Sequence, residues 1–166
     1  MSGQFRRLFS AEPFIVASPF RSSATWSMVV AAAAKGPLLL ELRNTPFSEG
    51  RSAATAAALA ALAQAEQLVP FTAEPQQAGE PLLRVAIAFH PCVNFTPSAL
   101  LRGQLRTLPS RGGLTLLAVL GHGSEVLASV EGRMEGVTSS GHAGFPSLLR
   151  QAVAALLGKP PQSSGD

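Results

Sequence analysis

The sequence predicts an α+β fold with two layers, in which helices pack on one face of a small mixed sheet that ends in an antiparallel hairpin. An Ala-rich segment and a closing amphipathic segment both have helical patterns. A nearly continuous apolar run in mid-chain is typical of a central strand, and two further strand-like runs flank Gly121-His122-Gly123-Ser124. Helices and strands that mix in this order favour one compact α+β domain.

Length and composition indicate one core and a weakly charged surface. The chain has 166 residues, which is the size of one ordinary domain. Charged residues make up 14% of the chain, well below the typical value of about 25%. Such a surface is poorly protected against association, so we expect a protein partner or a homo-oligomer.

Residues 1–21 are predicted to form an extended N-terminal arm. They are rich in Phe and Pro and carry few charges, and Pro13, Pro19 and Arg21 interrupt the apolar run that a signal peptide would need. A cleaved signal within residues 1–35 stays a second interpretation. An apolar arm can pack on its own domain or dock on a neighbour. Its candidate partner-binding residues are Phe5, Phe9, Phe14, Ile15 and Phe20.

A single domain is predicted over residues 22–158, and its first half alternates helix and strand. Ser22 or Ser23 can cap the first helix, Lys35 suits its last turn, and Gly36-Pro37 ends it. Ala and Leu give the second helix a high propensity after a Ser48 cap. The predicted elements are a helix at 23–35, a strand at 38–43, a helix at 49–67, a short edge strand at 69–72 and a loop at 73–81.

The second half of the domain contains the predicted central strand and hairpin. LLRVAIAF at 82–89 is apolar enough for a central position. Thr96 can cap a weaker helix that has Pro97 at its first position. The remaining predicted elements are that helix at 97–105, strands at 114–120 and 125–134, a loop at 138–144, a helix at 145–157 and a disordered tail at 159–166.

The Gly121-His122-Gly123-Ser124 stretch resembles a reactive loop but is interpreted as a hairpin tip. A nucleophile elbow needs Gly-x-Ser-x-Gly before a helix, whereas the residues after Ser124 are strand-like. The only Asp is Asp166, so no nearby Asp can orient a catalytic His. We therefore expect no enzyme, and a small hydrolase is only an alternative.

Metal binding is the second alternative, and its candidate ligands are His90, Cys92, His122 and His142. Three His and one Cys would complete a tetrahedral zinc site if the loop ends that carry them met. Their spacing matches neither a zinc finger nor His-Glu-x-x-His. The sequence predicts no catalytic residue, no metal and no cofactor, with these four as weak metal candidates.

The basic residues do not predict a nucleic-acid surface. The net charge is +3, and the densest basic stretch holds Arg102, Arg106 and Arg111. There is no Tyr and one Trp, so the aromatic side chains on which bases stack are scarce. No Gly-Lys-Ser/Thr sequence is present for phosphate binding. We expect no nucleic-acid partner, although dispersed arginines can converge in a folded chain.

Residues 37–157 resemble a group of small α/β proteins from proteobacteria. The likeness rests on Leu40-Glu41-Leu42-Arg43-Asn44-Thr45-Pro46-Phe47 before an Ala-rich helix, then LLRVAIAFHP, a hairpin and a closing amphipathic helix. In organisation the chain is similar to accessory proteins of the bacterial cell envelope that support assembly of a larger complex. The resemblance implies a bacterial assembly role with a periplasmic or membrane-associated location, and a cytoplasmic one stays open. Envelope lipoproteins carry an N-terminal lipobox Cys, which this chain lacks, so lipid anchoring is not expected.

Together these features predict a non-enzymatic accessory or structural subunit. We expect it to bind a larger protein complex through the Phe/Pro-rich arm and a sheet edge. Low charge, missing catalytic carboxylates and an apolar arm all favour protein binding over catalysis. No transmembrane span is expected, and peripheral membrane association through a partner stays open.

Overall fold

The computed structural model describes residues 14–17, 23–47, 50–64, 69–109, 113–139 and 141–157. The strands are β1 (Phe14–Ala17), β2 (Leu38–Leu42), β3 (Phe71–Thr72), β4 (Leu83–Phe89), β5 (Gly113–His122) and β6 (Glu125–Glu135). The helices are α1 (Ser23–Lys35), α2 (Arg51–Ala63), α3 (Pro97–Leu101) and α4 (Gly144–Leu157), with a 3₁₀ turn at Pro75–Gln77.

The strands form one mixed sheet in the order β1-β6-β5-β4-β2-β3. β2 pairs in parallel with both β3 and β4, whereas the β4–β5, β5–β6 and β6–β1 pairs are antiparallel. β4 lies inside the sheet, and five of its seven residues are buried consecutively. The predicted mixed sheet with a C-terminal antiparallel hairpin is confirmed.

Helices α1, α2 and α4 pack on one face of the sheet and enclose the main core. The amphipathic pattern of α4 gives it the largest buried face, because its apolar side chains recur at helical spacing. α2 contributes small side chains such as Ala54 and Ala58, which let it approach closely. The α+β class is therefore confirmed. The buried residues of α4 are Gly144, Phe145, Leu148, Leu149, Ala152, Val153, Leu156 and Leu157.

The short helix α3 packs on the opposite face, where it covers a second, smaller core. Leu100 and Leu101 join Ala86 and Leu117 there. The Thr96 hydroxyl accepts a hydrogen bond from the Ala99 amide at 3.1 Å, which confirms the predicted cap. The helix ends at Leu101 rather than at 105 because the chain turns at Gly103, which has a φ of +85°.

The hairpin turn consists of Gly123 and Ser124 alone. β5 extends to His122, which pairs with Glu125. Gly123 has a φ of +62°, the left-handed conformation that two-residue hairpin turns require. The interpretation of this stretch as a hairpin tip is confirmed, and Ser124 does not begin a helix.

Two predicted boundaries differ from the structure. Residues 14–17 were predicted to lie in the arm at 1–21, outside the domain, but they pair with residues 130–133 of β6 and belong to the sheet. Gly50, and not Ser48, is the N-cap of α2, and no side chain caps it. Residues 159–166, predicted to be a disordered tail, lie outside the described residues.

Candidate functional site

Ile15 of the arm packs inside its own domain. It contacts the main core, and a Cβ atom added at Gly132 would lie 3.1 Å from both Ile15 Cδ1 and Leu148 Cδ1. The missing side chain of Gly132 thus leaves the space that Ile15 occupies. The next residue, Val16, is 50% exposed. Of the predicted partner-binding residues, Phe14 lies in β1, and Phe5, Phe9 and Phe20 lie outside the described residues.

His90 lies at the end of β4 in an unusual backbone conformation. Its φ is +53°. Among the described residues, it is the only residue other than glycine with a positive φ. It borders a cavity of about 310 Å³. The cavity is lined by His90, Pro91, Leu108, Pro109, Gly113, Leu114, Thr115, Arg133, Met134 and Glu135.

Burial is the main influence on the pKa of the His90 imidazole. Desolvation lowers its pKa below the ordinary value of 6.5, and the Pro46 carbonyl opposes this shift. Nδ1 lies 3.4 Å from the Thr115 hydroxyl, whereas buried Nε2 has no hydrogen-bond partner within the described part. A hydroxyl activated by His needs a third group that orients the ring. The Pro46 carbonyl orients a ring less strongly than a carboxylate does, and the lowered pKa favours the neutral form of the His90 ring.

The four candidate metal ligands do not converge. His122 pairs with Leu83 at the start of β4, whereas His90 follows the other end of that strand. Seven strand residues separate these ends, which is about 20 Å at 3.3 Å per residue. His142 Nδ1 instead accepts a hydrogen bond from the Gly144 amide at 2.9 Å, at the start of α4. No group of three His, Cys, Asp or Glu side chains suited to a metal occurs within the described ranges.

Arg84 links four parts of the fold on the α3 side of the sheet. Its guanidinium donates to Glu41 Oε1 at 2.9 Å, to the Gly123 carbonyl at 2.8 Å and to the Leu101 carbonyl at 3.0 Å. Glu41 also pairs with Arg43 at 3.1 Å. The side chain of Arg84 is 13% exposed, so its role is to join β2, β4, α3 and the hairpin turn.

Residues 90–92 and 106–108 pair antiparallel beyond β4 in a short ribbon, called the ribbon below. The Leu108 amide donates to the His90 carbonyl at 2.8 Å, and the Cys92 amide donates to the Arg106 carbonyl at 2.9 Å. Val93 follows in a turn that the Phe95 amide closes on the Cys92 carbonyl at 3.0 Å, and Leu105 precedes Arg106, so both lie at the same end of the ribbon. No strand pattern indicates this pairing, because Pro91 interrupts the first segment and Arg106 and Thr107 interrupt the second.

No protein-family model and no curated protein matches the chain. Among solved structures, it is similar to a dodecameric PelC variant from Paraburkholderia phytofirmans, with a TM-score of 0.44 and 13% identity. That match covers 89% of this chain and 97% of the PelC chain. In the described part of the structure, no helix has the length and apolar character needed to cross a bilayer.

Proposed function

We propose that the protein is a non-enzymatic subunit that joins a larger protein assembly, or copies of itself, through its N-terminal arm and the adjoining sheet edge. The edge position of β1 carries this proposal. Within the described residues, β1 has a strand neighbour on one side and covers only residues 130–133 of the longer strand β6. An extended partner segment can add to such an edge by main-chain hydrogen bonds.

The sequence of β1 suits strand addition. Charged residues and prolines protect natural edge strands against pairing with another chain. The sequence of β1, FIVA, contains neither. Ile15 fixes the strand to the core, whereas Val16 on the other face is half exposed. The strand is therefore anchored through one side chain and presents another to a partner.

The proposal is tested by changing Val16 without disturbing Ile15. Val16→Lys puts a charge on the edge, and we expect it to lower the affinity for the partner by about tenfold, or about 1.4 kcal/mol. Val30→Lys is the matched control, since Val30 is 47% exposed on α1. Deletion of residues 1–13 separately removes Phe5 and Phe9 and leaves β1 in place.

The measurement is quantitative cross-linking of the full chain in its own cells, followed by capture and determination of the mass of the complex. We expect the Val30→Lys variant to recover the same complex as the unchanged protein, and the Val16→Lys variant to recover far less. Equal recovery from all variants would exclude the edge as the binding surface. A monomer without any stoichiometric partner would refute the proposed function.

A further inference from the structure

The ribbon and the residues at its end carry apolar side chains that are exposed to solvent. Val93 is 89% exposed, Leu105 is 41% exposed and Leu108 is 48% exposed. The first two adjoin the paired residues Cys92 and Arg106, so both lie at the same end of the ribbon, each in one of two clefts. Clustered apolar side chains with a polar surround are typical of a contact surface rather than of a solvated loop.

Two surface clefts adjoin Leu105. One, of about 360 Å³, is lined by residues that include Cys92, Val93, Arg102 and Arg106. The other, of about 430 Å³, is lined by Leu105 itself and by arginines from other parts of the chain. Gln104 and Arg106, the chain neighbours of Leu105, line the first cleft, so Leu105 lies between the two. The arginines of the second cleft are Arg43 and Arg51.

The surface around both clefts is basic. Residues 81–124 contain no Asp or Glu. The exposed side chains of Arg51, Arg102 and Arg106 have no carboxylate partner among the described residues. Among the described residues, Glu41 is the one acidic residue that lines either cleft, and it already pairs with Arg43 and Arg84. An acidic ligand would therefore meet positive charge on both sides of Leu105.

We infer that this surface binds an acidic segment of a partner protein, with an apolar side chain of that segment seated on Val93 and Leu105. An apolar centre with arginines around it is a common composition of protein interfaces. Single-stranded nucleic acid would need exposed aromatic rings for stacking, and Phe95, the aromatic residue lining the first cleft, packs on the small core instead. The surface uses no residue of the N-terminal arm, so it is distinct from the edge in the proposed function.

The test measures binding of a fluorescein-labelled peptide of alternating Glu and Leu by fluorescence anisotropy, using the full-length protein. We expect saturable binding that weakens with added salt. The Arg102→Gln/Arg106→Gln double variant should lower the affinity about tenfold, and Val93→Ser should lower it severalfold. Val93, Arg102 and Arg106 are all exposed, and circular dichroism checks that each variant retains the fold. Arg150→Gln and Val30→Ser are the matched controls, since neither residue lines either of these two clefts.

Three outcomes would overturn the inference: no saturable binding of the peptide, equal affinity for the same peptide with Lys in place of Glu, or no effect of the cleft variants. Displacement of the peptide by a single-stranded oligonucleotide at lower concentration would assign the surface to nucleic acid instead. A protein lacking residues 1–13 should keep its peptide affinity. The experiment thus distinguishes a failure of the inferred acidic-peptide site from a failure of the proposed assembly through the arm and sheet edge.

Discussion

The side-chain amide of Asn44 makes two hydrogen bonds with the backbone of Phe89. Its Nδ2 donates to the Phe89 carbonyl at 2.9 Å, and its Oδ1 accepts from the Phe89 amide at 2.8 Å. Leu42 pairs with Ile87 in the β2–β4 register, so Asn44, two residues further on, lies opposite Phe89. The amide continues the hydrogen bonding of β4 after β2 has ended, and the backbone of the buried Phe89 stays satisfied.

Asn44→Ala should destabilise the fold. It removes both partners of the Phe89 backbone, and we expect the free energy of unfolding to fall by about 2 kcal/mol, the cost of leaving buried polar groups unpaired. Urea denaturation followed by circular dichroism measures the change. Asn94→Ala, at an exposed asparagine, is the control and should change it by less than about 0.5 kcal/mol. Equal effects of the two variants would contradict the structural role of Asn44.

Arg84→Met should destabilise the fold more strongly. The largely buried guanidinium bonds one carboxylate and two backbone carbonyls, and its removal leaves those acceptors short of a donor. We expect a loss of about 3 kcal/mol in the free energy of unfolding. Thermal and urea denaturation measure it, with the exposed Arg51→Met as the matched control. A loss no larger than that of the control would show that the bonds to Gly123 and Leu101 contribute little.

Gly79→Ala should also lower stability. A Cβ atom there would overlap the backbone at the end of α1, lying 2.6 Å from the Lys35 carbonyl carbon and 2.7 Å from the Ala32 oxygen. Backbone cannot move aside as a flexible side chain can, so we expect a cost of about 2 to 3 kcal/mol in the free energy of unfolding. Gly141→Ala, whose added Cβ would meet only Ser139 Oγ at 3.8 Å, is the control in the same denaturation experiment. An unchanged free energy of unfolding for Gly79→Ala would show that Gly79 has room for a Cβ atom beside the end of α1.

His90 should make stability depend on pH. Burial lowers its pKa in the folded state, so the unfolded chain binds a proton near pH 6.5 that the folded chain does not. The contribution of His90 to the free energy of unfolding is therefore complete above about pH 6.5. It is lost as the pH falls from there through the lower pKa of the folded state. Stability measured from neutral to mildly acidic pH should fall on acidification, and NMR should show His90 titrating below the ordinary range.

His90→Asn is the variant that tests this assignment, because Asn tolerates the left-handed backbone conformation at φ +53°. We expect it to reduce the loss of stability on acidification. Asn94→Ala, at an exposed side chain that does not titrate, should leave the loss unchanged. The same pH dependence in all three proteins would assign the effect to other groups.

Local patterns in the sequence were sufficient to predict most helices and strands. Ser, Lys and Gly-Pro bounded α1, the spacing of Leu148, Leu149, Ala152 and Val153 predicted α4, and Gly123 predicted the turn. These signals are local because caps, turns and helical periodicity involve residues within a few positions of each other. Neither β1 nor the helix α3 on the second face was placed correctly in space, because strand pairing and face assignment join distant segments.

The sequence by itself determined the α+β class, the order of the elements and the hairpin, because each rests on local propensity and apolar periodicity. Only the tertiary structure decided that residues 14–17 join the sheet and that His122 lies at the far end of β4 from His90. It also decided that Arg43 and Arg51 share a cleft with Leu105, close to Arg102 and Arg106. These relations depend on long-range pairing and on how the chain closes around its core, and no single stretch of residues encodes them.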